Sequence, residues 1–235
     1  VHQANMHSTM MFFTEQGRLY WTKVYELPEG NRQSKGRALQ NMINIQKGDK
    51  VCAFIHVKNL SDMEYVQNHY LIFATKNGLM KKTTLESYSR PRANGIIALG
   101  LREDDRLIRV TLTDGNSQML VASYNGKVVR FPEDTVRPMG RTATGVRAIK
   151  LDEDGKDRVI GMICVEQGSK DSVLVISEKG FGKRTLLDDE NGEPIYRITN
   201  RGGKGVKTMN LTDKTGNLIG LEAVTDEQDL MLITK

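Results

Sequence analysis

The chain has 235 residues, 38% hydrophobic and 27% charged, and its 34 Lys and Arg outnumber its 29 Asp and Glu by five. This composition is too apolar for a disordered chain and too polar for one that spans a membrane, since no run of about 18 apolar residues occurs. We also expect no secretory leader. The two cysteines, Cys52 and Cys164, lie in separate apolar runs, so we expect no disulfide framework, no cysteine zinc site and a reducing cytoplasm.

The predicted elements recur along the chain. Each repeat opens with an apolar run, a Thr or Ser, two more residues and a turn glycine, which is Gly17, Gly78, Gly126 or Gly180. A second strand with basic residues follows, and a looser stretch leads to a second glycine and an apolar strand at Gly36, Gly95, Gly145 and Gly205. An alternating apolar strand ends the repeat. Asn77-Gly78 and Asn125-Gly126 predict two-residue hairpin turns that require positive φ.

These recurrences predict a fold of four-stranded sheets. The Thr and Ser positions are 61, 48 and 54 residues apart, a period typical of radial arrays such as propellers. A β-sandwich with accidental similarity is the alternative. We expect one all-β domain over 1–235, with repeats at approximately 10–69, 70–118, 119–172 and 173–229 and a further blade starting at 230–235.

Basic charge is concentrated in one part of every repeat. The segments 18–37, 76–92, 127–150 and 179–207 together hold 23 basic and 9 acidic residues, whereas the rest of the chain holds 11 and 20. In a radial array these segments should form one continuous belt that matches the phosphates of duplex DNA. The alternative explanation for these charges is that they are dispersed, solvated surface residues without a binding role. A protein-interaction scaffold is the second function class that we consider.

The candidate DNA-binding residues are the basic residues that recur in these segments. An arginine lies four residues before Gly36, Gly145 and Gly205, and each glycine either lets backbone N–H groups approach a phosphate or serves a tight bend. The candidates are Lys23, Arg32, Arg37, Lys81, Lys82, Arg90, Arg92, Lys127, Arg130, Arg141, Arg147, Lys183, Arg184, Arg201, Lys204 and Lys207.

The sequence offers little support for an enzyme. The glycine-rich segment Asn200–Gly205 departs from the phosphate-loop template because Lys204 precedes a glycine. No Cys, Asp or Glu partner recurs at ligand spacing from the histidines, which predicts no metal site. Acidic pairs such as Asp104-Asp105 fall in polar turns, and no Ser-centred nucleophile elbow occurs. We therefore expect a binding module without catalytic residues.

Long blocks of the chain resemble the C-terminal domains of the DNA gyrase A protein. These blocks are residues 17–51, 77–108, 126–151 and 180–185, in collinear order. The resemblance implies a β-pinwheel, a propeller-like disc whose neighbouring blades exchange a strand, with four full repeats and partial end blades here. It also implies non-sequence-specific wrapping of duplex DNA around a basic rim, which directs ATP-dependent negative supercoiling.

The same resemblance implies partners and limits. It implies that the rest of the gyrase A protein and the gyrase B protein join this domain in an A2B2 holoenzyme, that ATP, Mg²⁺ and the catalytic tyrosine belong to other regions, and that this domain has no cofactor. It also implies an isolated monomer in the bacterial cytoplasm near the nucleoid, without membrane contact. The family's hallmark box, Gln-Arg-Arg-Gly-Gly-Lys/Arg-Gly, would precede Val1, and the similar 200–205 segment lies instead in the last full repeat. The C-terminal domain of topoisomerase IV, which serves decatenation, is the more distant alternative.

Overall fold

The fold is nearly all β. The structure is a computed structural model that describes residues 4–31 and 33–230. The strands in this part of the chain are β1 (Thr9–Thr14), β2 (Arg18–Lys23), β3 (Val51–Val57), β4 (Tyr70–Thr75), β5 (Leu79–Thr84), β6 (Ile96–Ile97), β7 (Leu107–Thr113), β8 (Ser117–Ser123), β9 (Lys127–Pro132), β10 (Val146–Arg147), β11 (Val159–Glu166), β12 (Ser172–Ser177), β13 (Gly182–Leu186), β14 (Val206–Lys207) and β15 (Leu218–Val224). The helices are α1 (Met63–Asn68) and the 3-10 helices Val24–Glu26, Leu39–Asn41, Leu85–Tyr88 and Glu133–Thr135.

The strands form four antiparallel sheets with one shared pattern. Their strand orders are β3-β1-β2-β6, β10-β5-β4-β7, β11-β8-β9-β14 and β13-β12-β15. Three strands of each sheet come from one repeat, and in the first three sheets the next repeat supplies a two-residue fourth strand. The predicted repetition of strands is confirmed, and the fourth strand is exchanged between neighbouring repeats.

The chain divides into two compact units. The first comprises the described residues up to 115 together with 136–147, and the second comprises 116–135 and the described residues from 148 onward. The sequence assigns 136–147 to the third repeat, but these residues join the first unit because β10 pairs with β5. The exchanged strand therefore carries the preceding loop with it.

The hairpin loops differ in length from the prediction. Three residues, not two, connect β4 to β5 and β8 to β9. Gly78 and Gly126 have φ of +85° and +84°, whereas Asn77 and Asn125 do not share this geometry, since Asp104 alone among the described non-glycine residues has positive φ. The Gly78 N–H donates to the Thr75 carbonyl at 3.1 Å. This is the three-residue form of hairpin, in which only the glycine is left-handed.

An aspartate at the start of the last strand fixes this loop in three repeats. Its carboxylate accepts the backbone N–H of the residue before the turn glycine, at 2.9 to 3.2 Å. The pairs are Asp49 with Gln16, Asp105 with Asn77, and Asp157 with Asn125. Each bond satisfies a backbone N–H of the hairpin loop and links this loop to the start of the last strand of the same repeat.

The second glycines permit close approach between strands. Gly205 has φ of +73°, and a Cβ there would lie 2.5 Å from the Val128 carbonyl oxygen. Gly145, with φ of +94°, abuts the Met80 carbonyl in the same way. The role in strand packing is thus visible at both positions.

The strand predicted directly after Gly36 is wrong. Residues 36–38 are exposed and form no strand, and a 3-10 helix, Leu39–Asn41, follows them. In the other three repeats this strand pairs with the second strand of the preceding repeat. None of the described strands pairs with residues 36–38.

Each unit has its own apolar core. In the first unit, Phe13 and Phe73 are fully buried and meet edge to face, with ring centroids 5.6 Å apart. In the second, Val175 and Leu218 are fully buried within one cluster that also contains Tyr196. Among the described residues, no helix is both long and apolar enough to cross a membrane.

Candidate nucleic-acid interface

The second strand of each repeat carries the first group of predicted DNA contacts, and Lys81 on β5 is fully buried there. Its ammonium donates to the carbonyl oxygens of Ala98 and Arg141, both at 2.5 Å, and to the Tyr88 hydroxyl at 3.2 Å. It also lies 4.7 Å from the centroid of the Phe73 ring. Burial, and second the Arg141 charge, lower the pKa of Lys81 to about 7.

Lys82, the next residue on β5, is also buried, with 4% of its surface exposed. Its ammonium lies 4.3 Å from the centroid of the Tyr70 ring, a cation–π distance. Its carbonyl accepts the Met139 N–H at 2.8 Å. The side chain and the backbone of Lys82 therefore both make contacts within the first unit.

Arg130 on β9 is 5% exposed and binds the loop of the fourth repeat. Its guanidinium donates to the Asp188 carboxylate at 2.9 Å and to the carbonyls of Leu187 and Tyr196 at 3.1 and 3.4 Å. Its Nε donates to Gln118 Oε1 at 2.6 Å. All four acceptors bind Nε or Nη1, and because only 5% of the residue is exposed, the guanidinium is poorly accessible to a phosphate.

The placement of Lys81, Lys82 and Arg130 corrects the prediction that they lie on an exposed rim. In each case the cause is the loop of the next repeat, which runs beside the second strand and covers its cations. Lys82 bridges to Pro138 in one unit and Arg130 to Ile198 in the other. The recurrence of basic residues on these strands thus reflects, in part, how one repeat holds the next.

Lys183 and Arg184 occupy the same positions in the fourth repeat as Lys81 and Lys82 in the second, counted from the turn glycine. Both are exposed. Lys183 donates to the Thr208 carbonyl at 3.0 Å, and Arg184 pairs with the well-exposed Asp226 at 2.6 Å. A surface pair of this kind is readily exchanged for a phosphate.

The exposed candidates of the first unit lie mainly in the loops after the second strands. Arg37, Arg90, Arg92 and Arg147 are exposed. Lys23 is half-buried and donates to Thr9 Oγ1 at 3.0 Å. Arg32 lies outside the described residues, as do residues 231–235 of the further blade predicted at 230–235.

Three arginines of this unit meet at one groove. Arg90, Arg92 and Arg141 line it together with Ser87 and Ser89, and its volume is about 420 Å³. The structure therefore brings together two positions from the second repeat and one from the third, which the sequence predicted as separate contacts.

In the second unit the candidates are held by different partners. Lys127 is ion-paired with Asp152 at 2.5 Å, which lowers the pKa of that carboxyl. Arg201 donates from Nε to the Thr135 carbonyl at 3.1 Å. Lys204 and Lys207 are exposed, and the Lys207 ammonium donates to Asn210 Oδ1 at 2.7 Å.

The glycine-rich segment at 200–205 packs on backbone in the second unit. The Gly202 N–H donates to the Ala148 carbonyl at 2.6 Å, and the Lys150 N–H donates to the Gly203 carbonyl at 2.8 Å. The first bond occupies an N–H donor of the kind that a phosphate loop would present to its ligand. Among residues 4–31 and 33–230, no three His, Cys, Asp or Glu side chains cluster as metal ligands would.

Two exposed arginines, Arg137 and Arg197, are absent from the candidates predicted from the sequence. Each follows a buried residue, and each lies eight positions before a second glycine, Gly145 or Gly205. That shared offset was the available signal. Each also directly precedes the residue that bridges to Lys82 or Arg130.

Known proteins of one family resemble this chain over almost its whole length. A family model described as "DNA gyrase C-terminal domain, beta-propeller" matches residues 8–58, 69–114, 118–166 and 171–225. The DNA gyrase A protein of Staphylococcus aureus is 44% identical over 228 residues, which are 97% of this chain and 24% of that protein. The chain thus spans about a quarter of the length of the curated relatives it matches.

Solved structures give the same fold. The C-terminal domain of DNA topoisomerase IV superposes with a TM-score of 0.79 at 24% identity, over 94% of this chain and 65% of that one. The DNA gyrase A C-terminal domain has a TM-score of 0.72 at 21% identity, over 95% and 68%. At these identities the likeness concerns the fold alone.

Proposed function

Because this chain belongs to the family of DNA gyrase C-terminal domains, we propose that it binds duplex DNA without sequence preference and bends it across its exposed basic side chains. The observation that carries this proposal is the recurrence of unburied arginines and lysines in every repeat. The residues concerned are Arg37, Arg90, Arg92, Arg147, Lys183, Arg184, Lys204 and Lys207.

The chemistry is that of phosphate neutralisation. Lysine and arginine displace counterions condensed on the duplex, which yields affinity that does not depend on base sequence. Bending a 20–30 bp site smoothly by 40–90° costs on the order of 1–6 kcal/mol, so several phosphate contacts must act together to offset it. Buried Lys81, Lys82 and Arg130 support this function by holding consecutive repeats together, not by contacting DNA.

The finer role concerns the whole enzyme. We propose that wrapping by this domain presents a duplex segment to the DNA gate of an A2B2 gyrase, so that ATP-driven strand passage introduces negative supercoils. The chain contributes binding and geometry, while cleavage and ATP hydrolysis belong to other regions of the enzyme. Such a role would place it with chromosomal DNA in the bacterial cytoplasm.

The first experiment measures DNA affinity against salt. If about 8 phosphates are neutralised, log K falls with log salt at a slope of about −7. Arg184→Gln together with Lys204→Gln should weaken binding to unrelated duplexes equally, with Arg102→Gln, an exposed arginine outside the basic segments, as the control. A salt-independent affinity, or a loss confined to one sequence, would contradict the proposal.

The second experiment assigns the reaction. The holoenzyme is tested with and without this domain for supercoiling of relaxed plasmid and for decatenation of linked circles. Selective loss of supercoiling supports the gyrase role. Selective loss of decatenation indicates the topoisomerase IV role, and no effect on either favours a protein-interaction scaffold.

A further inference from the structure

The arginine groove of the first unit is more specific than a charged surface. We propose that it is a discrete pocket for one backbone phosphate of duplex DNA, with Arg141 as its inner wall and the buried Lys81 as the residue that positions Arg141. This inference rests on the proposed function and names one binding site within it.

The guanidinium groups of this groove have unsatisfied hydrogen-bonding capacity. Arg141 Nε is buried from solvent and makes no hydrogen bond to any described residue. A buried guanidinium N–H without an acceptor is unfavourable, and such exceptions call for a missing partner. The side chains of Arg90 and Arg92 likewise have no hydrogen bond or ion pair within the part of the chain that the structure describes. An oxyanion in the groove would satisfy all three.

The lining of the groove is polar as well as positive. Ser87 lies there with its hydroxyl 3.2 Å from Thr84 Oγ1, and the Ser89 hydroxyl donates to the Glu86 carbonyl at 2.8 Å. The Glu86 side chain also lines the groove, and its carboxylate accepts from Gln67 at 3.5 Å. Three guanidinium groups against one carboxylate leave a net positive site. Paired guanidinium N–H donors match the geometry of phosphate oxygens.

The backbone of Arg141, the inner wall of the groove, is held in place by the buried Lys81. Lys81 reaches from β5 to the Arg141 carbonyl, so its ammonium fixes the backbone from which the Arg141 side chain extends. The Ala143 carbonyl accepts the Gly100 N–H at 3.3 Å, which anchors the same loop a second time. A pre-positioned guanidinium loses less conformational entropy on binding than one on a free loop.

Lys81 and Arg141 are also coupled electrostatically. The Arg141 charge adds to burial in lowering the pKa of Lys81, and Tyr88 is the other ionisable side chain in contact with the ammonium among the described residues. A phosphate beside Arg141 would offset this repulsion and raise the pKa of Lys81. DNA binding near pH 7 to 8 should therefore be accompanied by proton uptake.

The test compares variants of the full chain on one generic duplex. Arg141→Gln should weaken binding roughly 10-fold and make the salt slope shallower by about 1, as expected for one lost phosphate contact. Lys81→Met should produce a similar loss, and the double variant should be no weaker than Arg141→Gln alone, since both act on one contact. Arg102→Gln should match the parent chain, and Glu86→Gln should bind more tightly.

Calorimetry in two buffers of different ionisation enthalpy measures the proton uptake at pH 7.5. The parent chain should take up a fraction of a proton per site, and Arg141→Gln and Lys81→Met should take up none. If Lys81→Met does not fold, Arg141→Gln in the same measurement still decides the question. A parallel titration with inorganic phosphate separates a free-phosphate site, which would bind it with the same protonation, from a site formed for the DNA backbone.

The results of these experiments distinguish failure of the phosphate pocket from failure of the proposed DNA binding. If Arg141→Gln and Lys81→Met bind DNA as the parent does, with an unchanged salt slope, the pocket is refuted while DNA binding stands. If the parent chain does not bind DNA at all, the proposed function itself fails. If Arg141→Gln loses affinity but Lys81→Met does not, Lys81 has no positioning role.

Discussion

Arg130 offers the sharpest test of the distinction between basic residues that hold the fold and those that bind DNA. Replacing it with methionine keeps the length and apolar stem of the side chain but removes every donor of the guanidinium. Four acceptors then lose a partner: Gln118, Leu187, Asp188 and Tyr196. We expect the folded state to be destabilised and the DNA contacts to be unaffected.

The magnitude follows from the burial of each partner. Truncating one member of a buried ion pair costs about 3–5 kcal/mol. The Asp188 side chain is 38% exposed, so water can solvate it once Arg130 is gone, which favours the lower end of that range. The two carbonyls and the Gln118 oxygen stay enclosed and contribute about 1 kcal/mol each. These contributions concern different partners and add only in part, so we expect a loss of about 3–6 kcal/mol, or a fall in Tm of roughly 6–24 °C for a chain of this size.

The assay is urea unfolding followed by circular dichroism, because the single tryptophan, Trp21, lies in the other unit. The midpoint should fall while the slope stays constant. Arg184→Met is the matched control: it has the same offset from its turn glycine, and its partner Asp226 is 89% exposed, so stability should change by less than about 1 kcal/mol. If Arg130→Met leaves stability intact and lowers DNA affinity instead, the structural role is refuted.

Three further predictions concern other buried groups. The pKa of Lys81 is about 7 in the folded chain against an ordinary 10.5; the unfolded chain holds the extra proton between these values, so stability should rise with pH from 7 to 9 by up to about 1.4 kcal/mol per pH unit, until the Cys52 thiol of the unfolded chain, with its ordinary pKa of 9.0, begins to lose its proton. Urea unfolding of Lys81→Met should lack that rise, and an unchanged pH slope would contradict the assignment. Gly145→Ala should lower the unfolding free energy by about 3 kcal/mol through its positive φ and the Met80 carbonyl, whereas Gly140→Ala, where a Cβ meets nothing within 4 Å, should change it by less than about 1 kcal/mol; equal effects in thermal unfolding would argue against the close approach. Burial raises the pKa of Cys52 from its ordinary 9.0 to about 12, so in a Cys164→Ser chain a disulfide reagent at pH 8 should react about 1,000-fold more slowly than in urea, and equal rates would show that Cys52 is accessible.

The sequence predicted the elements well because their signals are local. Glycines such as Gly78 and Gly126 indicate where each hairpin turns, and the alternation in β7 and β11 indicates strands. The partner of a two-residue strand such as Ile96–Ile97 has no local signal, because pairing with β2 is decided by contacts across 77 residues of chain. The resemblance to a known family, not the pattern itself, supplied the strand exchange.

The candidate site was predictable in composition but not in exposure. Lys81 and Lys183 have the same offset from a turn glycine, and nothing in their neighbourhood distinguishes them. Lys81 is covered by a loop of the following repeat, which turns a predicted DNA contact into an internal one. The convergence of Arg90, Arg92 and Arg141 on one groove depends on the same loop and could not be read from spacing.

Strand exchange also determines how long a sheet edge stays unpaired while the chain is being synthesised. The edge of β2 is completed by β6, which begins at Ile96, whereas β3 already ends at Val57, so a ribosome must add about 40 residues in between. At about 5–20 residues per second the unpaired edge persists for roughly 2–8 s on the nascent chain. An open edge is a template for pairing with another chain. Codon choice between residues 58 and 97 would then change how long neighbouring nascent chains on one polysome can pair with each other through this edge.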